Sequence, residues 1–206
     1  MLTQAIYQRV KTVADIRDYI GDSKVVAFDY EVSPDEPYRT ESKAALDVAK
    51  AHLTGCSFSV MPGTAIYAPL AHLTGKNLDS SAFQSFLTDF LNDRSIVKVA
   101  HNMAYESTMS YKSGIVIQAP VYDTMCAAQM VLKNDYDFRQ LGDSGLKTLA
   151  QTVLNEPIPT YEAVTGGRHF DELDHFAYPR LLLRVGHHGC GHVDNPDADA
   201  IVFIVL

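Results

Sequence analysis

The chain has 206 residues, of which 47% are hydrophobic and 20% are charged, and its formal net charge is -8. These values are typical of an ordinary soluble globular protein with one α/β domain. No apolar run approaches the roughly 20 residues that are needed to span a bilayer, so we expect no membrane partner. The acidic balance lacks the basic footprint of most nucleic-acid-binding proteins, although a nuclease whose carboxylates hold cations can be acidic overall.

The first 31 residues predict a helix followed by a buried strand. Apolar residues recur at helical spacing before Gly21 and identify the helix, namely Val13, Ile16 and Ile20. The strand, residues 25–31, is an apolar run that ends in Asp29 and Glu31. Because alternate side chains of a strand share a face, these two carboxylates point the same way, and a divalent cation between them would relieve their repulsion. On its own, such a pair is more often a strand that runs into an acidic loop.

The remaining elements alternate between strands and helices, which predicts an α/β fold with a mixed sheet. A loop is predicted at 33–39 and an irregular or helical crossing at 43–53. The predicted strands are 55–60 and 65–70, which form an antiparallel hairpin around the turn 61–64, then 96–100 and 116–121. The predicted helices are 82–91, 103–112, 123–132 and 145–154. The first of these carries a core-facing stripe made of Phe83, Phe86, Leu87, Phe90 and Leu91.

A second carboxylate follows the strand that ends at Ala100. Asn102 is a suitable N-cap for the next helix, and Glu106 lies in its first turn, where the helix dipole favours an acid. Helix capping alone would account for both residues.

Together the two motifs resemble the DEDD superfamily of 3'-5' exonucleases: a D-x-E at a strand end, then N-x-x-[YF]-[DE] about seventy residues later. Other stretches are similar to the proofreading domain of family A DNA polymerases, of the DNA polymerase I type and particularly its phage-like branch. These stretches are 45–60, 67–72, 123–125, 145–150 and 161–167. The resemblance covers roughly residues 20–174. It implies an RNase H-like three-layer fold with a mixed central sheet flanked by helices.

The resemblance also implies a site and its chemistry. The residues that fall on catalytic, metal-binding carboxylates are Asp29, Glu31 and Glu106. Asn102 and Tyr105 fall on the motif's Asn and aromatic positions, where they would brace the corner or bind the substrate. Tyr30 and Tyr105 are predicted substrate-binding residues on which a terminal base could stack. Asp123 is interpreted as a helix cap. The implied cofactors are two divalent cations, Mg²⁺ or Mn²⁺, and the implied partner is the single-stranded 3' end of DNA. A polymerase domain on the same chain and a cytoplasmic location, in a bacterium or its phage, are expected.

The C-terminal part does not fit the resemblance. We divide the chain into a lead-in helix at 1–23, an exonuclease domain at 24–174 and an atypical tail at 175–206. The tail lacks the expected fourth carboxylate motif; His192 and Asp197 have a suitable spacing, but Pro196 lies between them. A one-nucleotide slip of the reading frame near His175 would explain the change of character. Zinc ligands are conceivable at His187, His188, Cys190 and His192, but no second ligand pair is spaced for a closed site.

Two other functions remain open from the sequence. A relative with an RNA substrate, similar to ribonuclease D, would use the same carboxylates. A catalytically inactive module that supports a polymerase would explain the missing fourth carboxylate. Three distant cysteines (Cys56, Cys126 and Cys190) argue against a disulfide framework and for a reducing compartment.

Overall fold

A computed structural model of the chain describes residues 6–132, 144–153 and 159–173. The strands are β1 (Ile6–Arg9), β2 (Val25–Pro34), β3 (Ala51–Ser59), β4 (Thr64–Pro69), β5 (Val97–Ala100) and β6 (Val121–Asp123). The helices are α1 (Val13–Ile20), α2 (Ser80–Asn92), α3 (Met103–Lys112), α4 (Thr124–Leu132), α5 (Leu146–Val153) and α6 (Tyr161–Thr165). Short 3-10 turns lie at Glu36–Tyr38, Ala44–Leu46, Val48–Lys50 and Phe170–Glu172.

The strands form one mixed sheet in the order β1-β4-β3-β2-β5-β6. β2, β3 and β4 make an antiparallel meander, while β5 and β6 continue the sheet in parallel with β2. β1 adds to the other edge, parallel to β4. The predicted α/β class, the mixed sheet and the central hairpin are therefore confirmed.

The core lies between the sheet and α2. All five apolar residues of the predicted α2 stripe are buried, and Phe28 of β2 packs edge-on against Phe90 with ring centroids 5.8 Å apart. Phe58 of β3 meets Phe86 and Phe90, each at a centroid distance of 5.7 Å. Burial of each such side chain contributes about 1.5–3 kcal/mol, so this aromatic cluster fixes α2 on the sheet.

Three segments differ from the prediction. β1 was not predicted, because its four residues become a strand only by pairing with the distant residues of β4. β2 extends to Pro34 and β3 begins at Ala51, so the predicted loop and crossing are both shorter. The predicted strand at 116–121 is wrong: β6 begins only at Val121, after Pro120, which has no N–H to donate to a ladder.

The helices at 13–20, 103–112 and 145–154 are confirmed, the last as α5. Among the described cysteines, Cys56 is a buried free thiol and Cys126 an exposed one. The tail, with its possible frame slip, its histidines and Cys190, lies outside the described residues. Within those residues, no helix is long and apolar enough to cross a membrane.

Candidate active site

The first two carboxylates lie on one face of β2, as the alternation predicts. Phe28 and Tyr30 point into the core with 3% and 4% exposure, whereas Asp29 is exposed and Glu31 is half-buried. The parallel pairing of β2 with β5 ends at Ala27, so both acids lie beyond the reach of that neighbour. A β-bulge between Glu31 and the next residue bends the strand at this point, a position where bulges often redirect side chains.

The third carboxylate is positioned by a sharp corner between β5 and α3. Asn102 turns the chain with φ 66° and ψ 55°, a left-handed conformation that asparagine tolerates better than most residues. Asn102 occupies the N-cap position of α3, as predicted, but its side chain makes no capping hydrogen bond. The cap comes from Asp123, whose Oδ1 and Oδ2 accept the N–H groups of Asn102 and Met103 at 3.1 and 3.0 Å.

Asp123 also caps the helix that follows it, as predicted. Its Oδ1 accepts the N–H of Met125 at 2.9 Å and that of Cys126 at 3.4 Å. One carboxylate therefore satisfies orphan N–H groups at the starts of both α3 and α4. This shared cap holds the first turn of α3, and with it Glu106, at a fixed distance from β6.

Glu106 is buried at 3% exposure, and its Oε2 has no hydrogen-bond partner among the described residues. Burial raises the pKa of Glu106 well above its usual range, and the nearby charges of Asp29 and Glu31 raise it further. A hydrogen bond from the backbone of Tyr30 opposes this rise. Since an unpaired buried oxygen is costly, this carboxyl is poised for a partner that the described residues do not supply.

The pKa of Asp29 is raised as well. Crowding by protein atoms raises the pKa of Asp29 to about 6, and a hydrogen bond between its carboxyl and that of Glu31 opposes the rise. The side chain nevertheless remains open to solvent through the cavity above it. The three carboxylates thus interact electrostatically across one space, and no basic side chain is among the causes of these shifts.

All six residues singled out by the sequence line one cavity of about 700 Å³. Two of them, however, have other tasks. The Tyr30 ring is buried and its hydroxyl hydrogen-bonds to Ser110 Oγ at 2.9 Å, so it offers no face to a nucleobase and the predicted stacking role is corrected to core packing. The Tyr105 hydroxyl donates to the carbonyl of Ala45 at 2.8 Å, which ties the segment between β2 and β3 to α3.

The opposite wall of the cavity was not identified as a site from the sequence. It comes from α6 and the turn after it, and its lining residues are Tyr161, Glu162, His169 and Phe170. The rings of Tyr161 and Phe170 meet edge-on at 5.3 Å, and the Tyr161 hydroxyl donates to the carbonyl of Arg168 at 3.0 Å. The motif 161–167 pointed to a family resemblance, but nothing in its spacing indicated that it would face residues 130 positions earlier.

An ion cluster anchors this wall to the sheet. Arg39 donates to Asp171 through Nη1 at 2.6 Å and Nη2 at 3.1 Å, and its Nη2 also donates to Glu172 at 2.8 Å. Burial pushes the pKa of Asp171 upward, but the hydrogen bonds and the charge of Arg39, together with smaller contributions from Ser33 and His52, hold that pKa below its usual range. Ser33 Oγ accepts the N–H of Asp171 at 2.9 Å, which joins the cluster to β2.

The donor set suits a hard divalent cation. Carboxylate oxygens are the ligands that Mg²⁺ and Mn²⁺ prefer, and the unpartnered Glu106 Oε2 faces two further acids across the cavity. In the described part of the chain, no three acidic, histidine or cysteine side chains are grouped closely enough to hold a metal ion. The three acids therefore fit a cation by donor chemistry and by lining one cavity, while their oxygens would have to move closer together to bind it.

The mixed six-stranded sheet and its helices define an α/β domain of the RNase H-like fold class. Solved structures agree: Brucella melitensis NrnC with bound Mg²⁺ matches 87% of this chain and 73% of its own, at 18% identity and a TM-score of 0.53. The Aedes aegypti Nibbler EXO domain matches 89% of this chain and 81% of its own, at 13% identity and a TM-score of 0.57. At such low identity these matches establish the fold alone.

A family model for 3'-5' exonucleases matches residues 5–169. The chain belongs to this family, and the predicted relationship to DNA polymerase I is confirmed. It is 26% identical over 163 residues to DNA polymerase I of Chloroflexus aurantiacus, which covers 78% of this chain. It is 28% identical over 140 residues to the Pseudomonas aeruginosa enzyme, which covers 66% of this chain. The matched region spans only 15% and 14% of the length of these two relatives.

Proposed function

We propose that this chain removes nucleotides one at a time from the 3' end of single-stranded DNA, as the exonuclease domain of a DNA polymerase I-like protein. The observation that carries the proposal is the buried Glu106 carboxyl, whose unpartnered oxygen shares a cavity with Asp29 and Glu31. Membership of the 3'-5' exonuclease family supports the direction of attack, and the polymerase relatives support DNA as substrate.

In this proposal Asp29, Glu31 and Glu106 hold two Mg²⁺ or Mn²⁺ ions. Such a pair of cations lowers the pKa of a bound water and neutralises charge that develops on the scissile phosphate. The protein contributes a fixed arrangement of carboxylates: β2 carries two of them on one face, and the Asp123 cap fixes the helix that carries the third.

The open cavity fits a frayed strand end better than a duplex. Its walls, residues 41–46 on one side and α6 with Phe170 on the other, leave a space of about 700 Å³. A terminal nucleotide has to leave its stack to enter such a space. Val32 also lines the cavity; the family resemblance implies Thr or Ser at this position, so this chain would lack one hydroxyl near the terminal nucleotide.

The test is a gel assay with a 5'-labelled oligonucleotide, supplied as DNA and as RNA of the same sequence. We expect a ladder that shortens from the 3' end of DNA, that requires Mg²⁺ or Mn²⁺, and that Asp29→Ala abolishes. Faster cleavage of RNA would favour the ribonuclease D-like alternative. Cleavage that persists in EDTA would contradict the proposal. The absence of both cleavage and cation binding would also contradict it and would favour an inactive module.

The boundaries at 23/24 and 174/175 and the frame slip in the tail are also proposals. A nucleotide sequence with an open alternative frame from codon 175, encoding a tyrosine followed by an aspartate motif, would support the slip. A native frame that continues unchanged through this region in relatives would rule it out.

A further inference from the structure

One wall of the cavity carries a lysine that has no part in the mechanism above. Lys43 lines the cavity and lies in a left-handed backbone conformation, with φ 62° and ψ 16°. Residues with a Cβ other than Asn and Asp rarely adopt this conformation. Its neighbours maintain it: Ala44 is 3% exposed, and the N–H of Leu46 donates to the carbonyl of Lys43 at 2.9 Å.

This wall is fixed relative to the carboxylates. The Tyr105 hydroxyl holds the carbonyl of Ala45, two residues after Lys43, and Tyr105 directly precedes Glu106 on α3. Further along the same segment, Lys112 Nζ donates to the carbonyl of Val48 at 2.9 Å. The backbone around Lys43 and the third carboxylate are therefore both anchored to α3, so the lysine extends from a fixed point on the cavity wall.

The other cations of this segment are neutralised by acids. Lys50 pairs with Glu41, and Arg39 pairs with Asp171 and with Glu172. In residues 6–132, 144–153 and 159–173, none of the ion pairs includes Lys43. Lys43 is exposed, so its charge remains available to a ligand in the cavity.

The charged residues that line the cavity suggest a role for this lysine. The charged side chains of the cavity lining are mostly carboxylates, namely Asp29, Glu31, Glu41, Glu106 and Glu162. Lys43 is the only lysine or arginine in that lining among the residues that the structure describes. Cations held by three of the acids would neutralise the scissile phosphate, but the next phosphates of a strand would still face a negative wall unless one basic side chain met them.

We propose that Lys43 binds a backbone phosphate of the single strand, within the first three linkages upstream of the scissile one. This inference rests on the proposed function, because its ligand is the same strand. An ammonium group contacts phosphate as a point charge and reads no base, so the contact would contribute to affinity at any sequence. It would also contribute to the dependence of binding on salt, through release of a counterion.

The test measures binding of a fluorescein-labelled ten-residue oligothymidylate by anisotropy, with Ca²⁺ present and with salt varied from 50 to 200 mM. We expect Lys43→Met to weaken binding about fivefold at the lowest salt, which is the size of one exposed ionic contact. The slope of log affinity against log salt should fall by about 0.7, the value for one phosphate of a single strand. Lys43→Arg should keep both the affinity and the slope.

A matched control is Lys24→Met, which removes the same charge at the far end of β2. Lys24 is exposed and lies seven residues before Glu31 along the extended strand, about 23 Å away, which is beyond the screening length of roughly 10 Å. We expect its affinity to stay within twofold of that of the unaltered chain. An equal loss in both lysine variants would show that only net charge matters and would overturn the inference.

A neutral methylphosphonate at each of the three upstream linkages identifies the contact. At one linkage the substitution should weaken binding to the unaltered chain about fivefold and leave binding to Lys43→Met unchanged. Unchanged affinity and slope in Lys43→Met, while the unaltered chain binds DNA, would overturn this inference and leave the proposed function intact. Failure of the unaltered chain to bind DNA at all would contradict both.

Discussion

Two groups of acids lie within one protein domain and show opposite electrostatics. At the anchor of the cavity wall, Asp171 and Glu172 are met by Arg39, and hydrogen bonds hold the pKa values of both carboxyls below their usual range. In the cavity, burial and crowding raise the pKa values of Glu106 and Asp29, and no basic side chain in the described part of the chain counters the rise.

The difference separates structural acids from acids that await a ligand. A buried carboxylate whose hydrogen bonds are supplied by the protein stabilises the fold locally, and removal of its partner is the costly event. A buried carboxyl oxygen that has no partner lowers the stability of the isolated chain, and such a feature persists where it serves a function. In this chain the second group is the one that fits divalent cations.

The largest effect that tests this comparison is on catalysis. Glu106→Gln should reduce nucleotide release at least a thousandfold, because cation-dependent stabilisation of the phosphate contributes several kcal/mol. The matched control is Glu41→Gln, since Glu41 lines the same cavity but pairs with Lys50. We expect that variant to remain within threefold in a steady-state assay on end-labelled DNA. Equal losses of activity in the two variants would mean that the unpaired Glu106 is no more important for catalysis than the paired Glu41.

The next effect concerns stability. Arg39→Met would leave Asp171, which is 1% exposed, as an unpaired buried charge, and we expect a loss of about 3–5 kcal/mol in urea unfolding. The control is Arg17→Met, whose partner Asp89 is exposed at the surface. That change should cost less than about 1 kcal/mol. If both changes cost the same, the cluster around Asp171 does not anchor the wall.

A third kind of acid in this chain accepts hydrogen bonds from backbone N–H groups at helix starts. Asp123→Ala removes a cap from two helix starts, so we expect a loss of about 2 kcal/mol, twice that of a single cap. The comparison is Asp79→Ala, since Asp79 caps only α2, through the N–H of Ala82 at 2.7 Å. Urea unfolding with a common m-value measures the free energy of unfolding of both variants. If Asp123→Ala loses no more stability than Asp79→Ala, the two caps of Asp123 do not add.

The smallest effect is a pH dependence of opposite sign in the two groups. The pKa of Asp171 is lowered on folding, so its stabilisation is present above about pH 4 and is lost as the pH falls through its folded value. The pKa of Asp29 is raised to about 6, so the metal-free fold loses stability as the pH rises from about 4 to 6.

Melting temperatures in EDTA across pH 3 to 8 measure this dependence. The decline between pH 4 and 6 should diminish in Asp29→Asn and should vanish for the unaltered chain in excess Mg²⁺. If Asp29→Asn leaves the decline in melting temperature unchanged, groups other than Asp29 cause it.

The parts that sequence reasoning predicted correctly are those that depend on local pattern. Alternation in β2 placed Asp29 and Glu31 on one face, and the strand-to-helix transition placed Glu106 in a first helical turn. The helical spacing of the apolar residues in α2 predicted that they are buried. In each case the information lies within about ten consecutive residues, because strand and helix periods fix which side chains share a face.

The parts that were missed depend on contacts between distant segments. Asn102 has the residue type of a cap, but the cap is Asp123, 21 residues later, because β6 brings that carboxylate to the corner. Tyr30 has the type of a stacking residue, but the pleat turns it into the core towards Ser110. β1 acquires its structure only from β4. Local preference cannot encode such pairings, which tertiary structure decides.

The measurement that tests the central claim most directly is equilibrium binding of Mn²⁺, with free ion counted by electron paramagnetic resonance. The account predicts saturable binding by the unaltered chain and by Glu41→Gln, and its loss in Asp29→Asn and in Glu106→Gln. Binding that is unchanged in both of those last two variants, or absent from the unaltered chain, would contradict the claim that these acids form a cation site.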